Sequence, residues 1–458
     1  MVTMAYPDAA EVVADVARPT VQVKFVDTDE GGAWVTWRWE HALDKPRIWG
    51  LQPPQLAGAL AAFDTAVPDA RTGESIDDAL RRSWAVWGDL DRERQVSWAL
   101  AGALIPQGLG LELNAFLEAG KRPHLRIQPS RRLAAVPWQA LRIDESTRMV
   151  HDVDVSTLLP ASVRNAPARV PSAWQPEASV VATIDPEVPG RLPGLGPVLR
   201  AHEPLVADAL AALGGRAVGG RGETVSRETL RARLADAGRW LYVGHVTSGA
   251  YGLDTRLHLT DGPAARGRAD LVAGVHRPLT AADIAFGDQG PDEADASAPD
   301  GGSAAGASGA DGSAVDSSAA DAGESGAPAS PGSWRIPSRV ALIACASGSD
   351  ARYADPAGLV AALTMRGAEV VTAARWTLPT DVGLEWLAAA GLGPAATESS
   401  APFHAFARAI AAVSAAHESD DPVAALSAWQ AAEADAWERT GDPEHTPLIW
   451  GALTTSLS

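Results

Sequence analysis

The spacing of hydrophobic positions changes several times along the chain, and each change predicts a different element. Val21, Val23 and Phe25 alternate with polar residues, Gly31 and Gly32 supply a turn, and Val35, Trp37 and Trp39 alternate again. A hairpin with one buried face is expected. Helical spacing follows at Leu56, Leu60 and Phe63, then at Ile76, Leu80, Trp84 and Trp87, where Asp77 and Asp78 suit the positive end of the second helix. A third helical stretch, 98–104, runs into Pro106 and a glycine-rich turn.

From about residue 122 the runs shorten and predict strands at 125–127, 134–141 and 149–158. A strand at 179–184, a helix at 197–213, a short strand near 217–218 and a helix at 228–234 continue the series. Two buried strands begin at Arg239 and Val340, and a helix near 359–363 and a strand at 369–373 follow. Such alternation predicts an α/β fold, a mainly parallel sheet covered by helices on both faces. Two C-terminal helices, 403–416 and 423–437, are expected to pack over it. Residues 1–95 then form an N-terminal α+β extension, and 96–458 the main domain.

One segment interrupts the series. From 288 to 333 the chain is almost wholly Ala, Gly, Ser, Asp and Pro, with nine acidic residues and no Lys or Arg. It cannot bury enough apolar surface to offset the entropy of ordering, so disorder is expected. It also carries much of the net charge of -19. An acidic chain without clustered Lys and Arg argues against a nucleic-acid partner. The N-terminus lacks a signal-peptide pattern, and no apolar run reaches membrane-spanning length, so no membrane partner and a cytoplasmic location are expected.

The single cysteine excludes an internal disulfide framework and a multi-cysteine metal site, and no metal or other cofactor is expected. That cysteine, Cys345, ends one buried strand, and His245 ends the other. If the two strands lie side by side and parallel, both residues emerge at the carboxyl edge, where open α/β sheets place ligands. A cysteine nucleophile with a histidine base follows from that placement. The two residues are 100 positions apart, of which the acidic insert supplies 46, leaving about what one crossover connection needs. The plainer reading is a small core cysteine and a hydrogen-bonded strand-end histidine.

Gly244-His245 and Ala344-Cys345-Ala346-Ser347-Gly348 do not stand alone. Pro137-Trp138-Gln139-Ala140-Leu141 precedes them, and Arg366-Gly367-Ala368, Trp376 and Pro447-Leu448-Ile449-Trp450-Gly451-Ala452 follow. In that order, over roughly 95–458, they resemble the CHAT domain family, caspase-like peptidase domains in a clan with caspases, separases and gingipains. The resemblance implies a caspase-like fold and a dyad of His245 and Cys345 that hydrolyses peptide bonds in protein or peptide substrates through an acyl-enzyme. It implies an oxyanion hole of backbone N–H groups, from Cys345 and from the residue after the histidine. The family usually has glycine there, and this chain has Val246, which still offers an N–H but resists positive φ. Ala346, Ser347 and Trp376 are further oxyanion or substrate candidates, with core packing the other reading of Trp376. Glu203 falls where the family carries a helix glutamate, either supporting a catalytic-side group or bonding loop backbone.

Two functions from different classes follow. One is a regulated cysteine endopeptidase with a protein substrate and a regulatory protein partner, where the acidic chain favours a basic residue before the cut. The other is a catalytically silent CHAT fold serving as an interaction or scaffold module. No Walker loop, HExxH motif or GxSxG elbow occurs.

Overall fold

The computed structural model describes residues 16–167, 169–288, 333–353, 357–390 and 402–458. The hydrophobic runs form fourteen strands among these residues: β1 (Thr20–Asp27), β2 (Ala33–Trp39), β3 (Arg47–Leu51), β4 (His124–Gln128), β5 (Asp154–Leu158), β6 (Val180–Ile184), β7 (Ala217–Arg221), β8 (Arg239–Val243), β9 (Val246–Thr247), β10 (Arg256–Leu257), β11 (Leu279–Thr280), β12 (Arg339–Ile343), β13 (Val370–Ala374) and β14 (Leu453–Leu457). Eleven of them make one sheet in the order β3-β2-β1-β4-β5-β14-β13-β12-β8-β6-β7. Neighbours are antiparallel at β1–β2, β2–β3 and β13–β14 and parallel at the other junctions. A small antiparallel sheet, β11-β10-β9, follows the histidine strand.

Successive side chains of a strand point to opposite faces, and here they feed two different cores. Trp240 and Tyr242 of β8 and Val340 and Leu342 of β12 pack with Leu230, Leu234, Ile284 and Leu363. Leu241, Val243, Ala341 and Ile343 pack with Phe406, Ile410, Val413 and Leu426. Every residue of β8 and β12 is buried, so the expected parallel sheet with helices on both faces is what the chain forms. At the opposite strand ends, Arg239 donates to Glu418 and Ser414, and Arg339 donates to the His417 and Ser419 carbonyls just past helix Ala405–Ala416. Cations at a helix C-terminus are favourable, and here they pin the register of the two strands.

Several expected elements differ. The stretch 134–141 is not a strand: two 3₁₀ turns, Arg131–Leu133 and Trp138–Ala140, flank Pro137, which has no N–H for a ladder. Gln139 instead donates to the Gly451 and Leu453 carbonyls. Residues Met149–Asp152 form a helical turn before β5. The glycine-rich stretch after Pro106 is helix Gln107–Glu118, in which burial of Leu109, Leu113 and Phe116 offsets the roughly 1 kcal/mol helix cost of each glycine. The helix expected over 197–213 is Pro204–Ala211, because Asp185 and Arg221 bond the 198–201 backbone in a non-helical form.

The hairpin before residue 96 extends the main sheet through parallel pairing of β1 with β4, and helix Leu90–Leu104 runs across position 95. The expected disordered insert lies outside the described residues except at its ends, where Asp288 pairs with Arg231. No single helix among the described residues is long and apolar enough to cross a membrane.

Candidate functional site

Val243 and Ile343 are register partners in neighbouring parallel strands. Gly244-His245 and Ala344-Cys345 therefore leave the same edge of the sheet at the same level, two residues beyond each strand. Gly244 is required by crowding: a Cβ there would lie 2.7 Å from the Tyr242 hydroxyl and 3.3 Å from Pro186. That buried hydroxyl lies 2.9 Å from the His245 carbonyl and 2.8 Å from the His258 carbonyl, and donates to this pair.

The half-buried His245 ring is oriented by a third element. Its Nε2 lies 2.6 Å from the Gly196 carbonyl. A carbonyl only accepts, so Nε2 carries the proton and, in the neutral ring, Nδ1 keeps the lone pair. Gly196 belongs to the loop after β6, in which Asp185, Gly190, Arg191 and Gly194 have positive φ. Asp185 starts this loop by donating its N–H to Val243 and accepting the Val198 N–H at 2.9 Å.

Val246 opens β9, with its side chain buried in the second core. Its partner is Leu257, and the His258 N–H to His245 carbonyl bond of 3.1 Å flanks that pair. This marks a non-hydrogen-bonded antiparallel pair, so the Val246 N–H points away from β10. Positive φ is not used at Val246. Behind it runs a buried polar chain, Thr247 to His258 at 3.0 Å, His258 to His276 at 3.1 Å, and His276 to the Asp261 carbonyl at 2.8 Å. Burial lowers His258 to about 3 and also lowers His276.

The thiol side differs. Cys345 Sγ lies 3.6 Å from the Leu378 carbonyl, to which it donates. Burial pushes the thiol pKa up, and the Asp69 carboxylate adds to the rise. The next residue, Ala346, has φ 50, a left-handed conformation that an alanine adopts only when its surroundings impose it. They do: Ala346 N–H donates to Trp376 and its carbonyl accepts from Ser349. Ser347 N–H donates to Ala344, while its hydroxyl donates to Leu342 and accepts from Ala374 N–H. Among the described residues no hydrogen bond joins the His245 ring to the Cys345 thiol, and the Ala346 and Ser347 N–H groups are engaged within the fold.

Trp376 is fully buried, stacks on Trp87 at 5.8 Å and donates to the Leu448 carbonyl, which places it in the core. Glu203 caps the start of helix Pro204–Ala211 by position only. Among the described residues its buried carboxylate bonds no loop backbone, and it lies 3.2 Å from His404 Nδ1. The loop after Cys345 borders a cavity of about 350 Å³ whose walls include Leu158, Leu159, Pro160, Gly348 and Val360.

Sequence reasoning missed Gly196, Tyr242 and Asp69. The glycines and prolines of 189–197 signalled a loop there. Nothing in the local sequence signalled Asp69, which meets the site only through tertiary folding.

No family model matches this chain, and no curated protein does. Among solved structures it is similar to the Saccharomyces cerevisiae separase–securin complex at 3.0 Å, with 10% identity, 98% of this chain and 30% of that chain covered, and a TM-score of 0.45. It is also similar to the same complex at 2.6 Å, with 9% identity, 95% and 30% covered, and a TM-score of 0.39. The chain thus spans 30% of the length of those chains.

Proposed function

We propose that this chain is a caspase-like cysteine endopeptidase of the CHAT type, cytoplasmic and regulated, in which His245 and Cys345 act as a dyad. The observation that carries the reading is the in-register parallel pairing of β8 and β12, which brings both residues to one edge. In the reaction the thiol proton passes to His245 Nδ1 as sulfur bonds the peptide carbonyl carbon. The imidazolium then protonates the leaving amine as the C–N bond breaks, and water hydrolyses the acyl-enzyme. The N–H groups of Val246 and Cys345 are the oxyanion donors of this reading. Extended backbone suffices for the first of them, so valine serves in place of glycine. A peptide laid across the sheet edge has the 350 Å³ cavity, lined by Leu158, Leu159 and Val360 as well as Arg131 and Asp350, for one of its side chains.

The neutral thiol bonded to Leu378 also supports a second reading, a silent CHAT fold used as an interaction module. The two separate in intact-mass labelling with a peptidyl electrophile carrying Arg or Lys at its reactive end. The peptidase reading expects one adduct per chain, absent in Cys345→Ala and at least tenfold slower in His245→Ala. Labelling indifferent to His245 favours the silent module.

A further inference from the structure

The connection between helices Pro53–Asp64 and Ile76–Trp87 is far from Cys345 in sequence and beside it in space. Arg82 shapes this connection. Its guanidinium bonds both oxygens of Glu74 at 2.9 Å and donates to the carbonyls of Asp64, Thr65, Val67 and Asp69. Ser83 and Trp87 both donate to the Ala66 carbonyl, at 2.8 and 2.6 Å. A loop bonded at this many points presents its side chains in a fixed place.

Asp69 is the side chain it presents to the site. One carboxylate oxygen accepts the Thr377 N–H at 2.7 Å and the Thr377 hydroxyl at 2.8 Å. The other pairs with Arg352. Thr377 precedes Leu378, whose carbonyl accepts from Cys345. Arg352 lies on the loop that follows Cys345, and also donates to the Arg375 carbonyl at the end of β13.

We propose that Asp69 is a positioning residue of the candidate site: its carboxylate ties the loop after β12 to the loop after β13 and so sets the backbone on both sides of Cys345. The N-terminal segment is thereby a working part of the site. A displacement of that segment would release Leu378 from the thiol, which gives the proposed peptidase a built-in restraint. The kinetic part of this inference rests on the dyad reading, whereas the clamp itself does not.

The charged groups around the clamp are Arg352 on the loop after Cys345, Arg375 at the end of β13 and Arg82 on helix Ile76–Trp87. The thiol meets the Asp69 charge and the Leu378 carbonyl. Two measurements on the full chain test the proposal: amide hydrogen exchange at Thr377, and the pH profile of Cys345 alkylation by iodoacetamide. Asp69→Ala is expected to speed exchange at Thr377 at least tenfold and to accelerate alkylation at pH 7.5 at least threefold. Asp69→Asn, which keeps an acceptor for Thr377 but drops the charge, is expected to hold exchange within threefold of wild type and shift the alkylation profile to lower pH.

Exchange at Thr377 within twofold of wild type in a folded Asp69→Ala protein would overturn the proposal. If Asp69→Ala does not fold, Arg352→Met cuts one arm and Thr377→Val removes the hydroxyl bond of the other while keeping its N–H. Faster alkylation in either supports the clamp, and rates within twofold of wild type in both overturn it. Exchange that responds to Asp69→Ala while labelling ignores His245→Ala would sink the dyad reading and leave the clamp standing.

Discussion

His245 and Cys345 end equivalent strands, yet their surroundings are opposite. The histidine hangs on a frame of backbone contacts: the Tyr242 hydroxyl behind its carbonyl, a glycine with no room for a Cβ before it, and the Gly196 carbonyl on its ring. The ring is oriented, and among the described residues its other nitrogen has no hydrogen-bond partner. The cysteine sits among committed groups, its thiol on a carbonyl, its following N–H groups bonded inward, and a carboxylate close enough to oppose ionisation. On the peptidase reading, one side offers a ring nitrogen to a proton and the other is restrained from giving it. On the peptidase reading, activation is therefore a change on the thiol side, where side chains hold the loops.

The histidine frame can be broken most severely at its tightest point. Gly244→Ala should destabilise the fold by about 1–3 kcal/mol in chemical denaturation, because the new Cβ meets Tyr242 and Pro186 inside a packed strand end. It should also displace His245 and remove the histidine-dependent part of Cys345 labelling.

Acid probes the same side. His258 titrates near 3 in the folded chain and at an ordinary histidine value of about 6.5 when unfolded. Between those values the unfolded state binds the extra proton, so stability rises with pH up to about 6.5 and is lost on acidification below it. From pH 7 to pH 5 this one group accounts for about 2 kcal/mol. His258→Gln should flatten that part of the stability profile, and an unchanged slope would assign the acid sensitivity elsewhere.

Tyr242→Phe separates the two sides with the least damage. It removes one hydroxyl from two buried carbonyls, at about 1 kcal/mol. It should slow His245-dependent labelling several-fold and leave the intrinsic alkylation rate of Cys345 nearly untouched. Equal slowing of both would mean that the two sides are not held separately.

The alternation of short apolar runs with helical spacing made the sheet and its two helix layers legible, since strands buried on both faces read as unbroken hydrophobic runs. Leu453–Leu457 escaped notice because Leu-Thr-Thr-Ser-Leu has no apolar run, yet it joins the two halves of the sheet. Periodicity also could not tell the buried turns around Pro137 from a strand. In the site, residues at strand ends were legible because topology alone places them. Gly196 acts through its carbonyl, and Asp69 acts across more than 300 positions of sequence, so neither has a local pattern to read.

Whether His245 and Cys345 work as a pair is read most directly from the alkylation rate of Cys345 against pH in wild type and His245→Ala. A working pair would show a wild-type component that depends on the imidazole and vanishes in His245→Ala, leaving the single high-pH rise of a thiol whose ionisation is opposed by its surroundings. Superimposable profiles would contradict it, and Cys345 would then be a strand-end thiol beside a histidine with no shared chemistry.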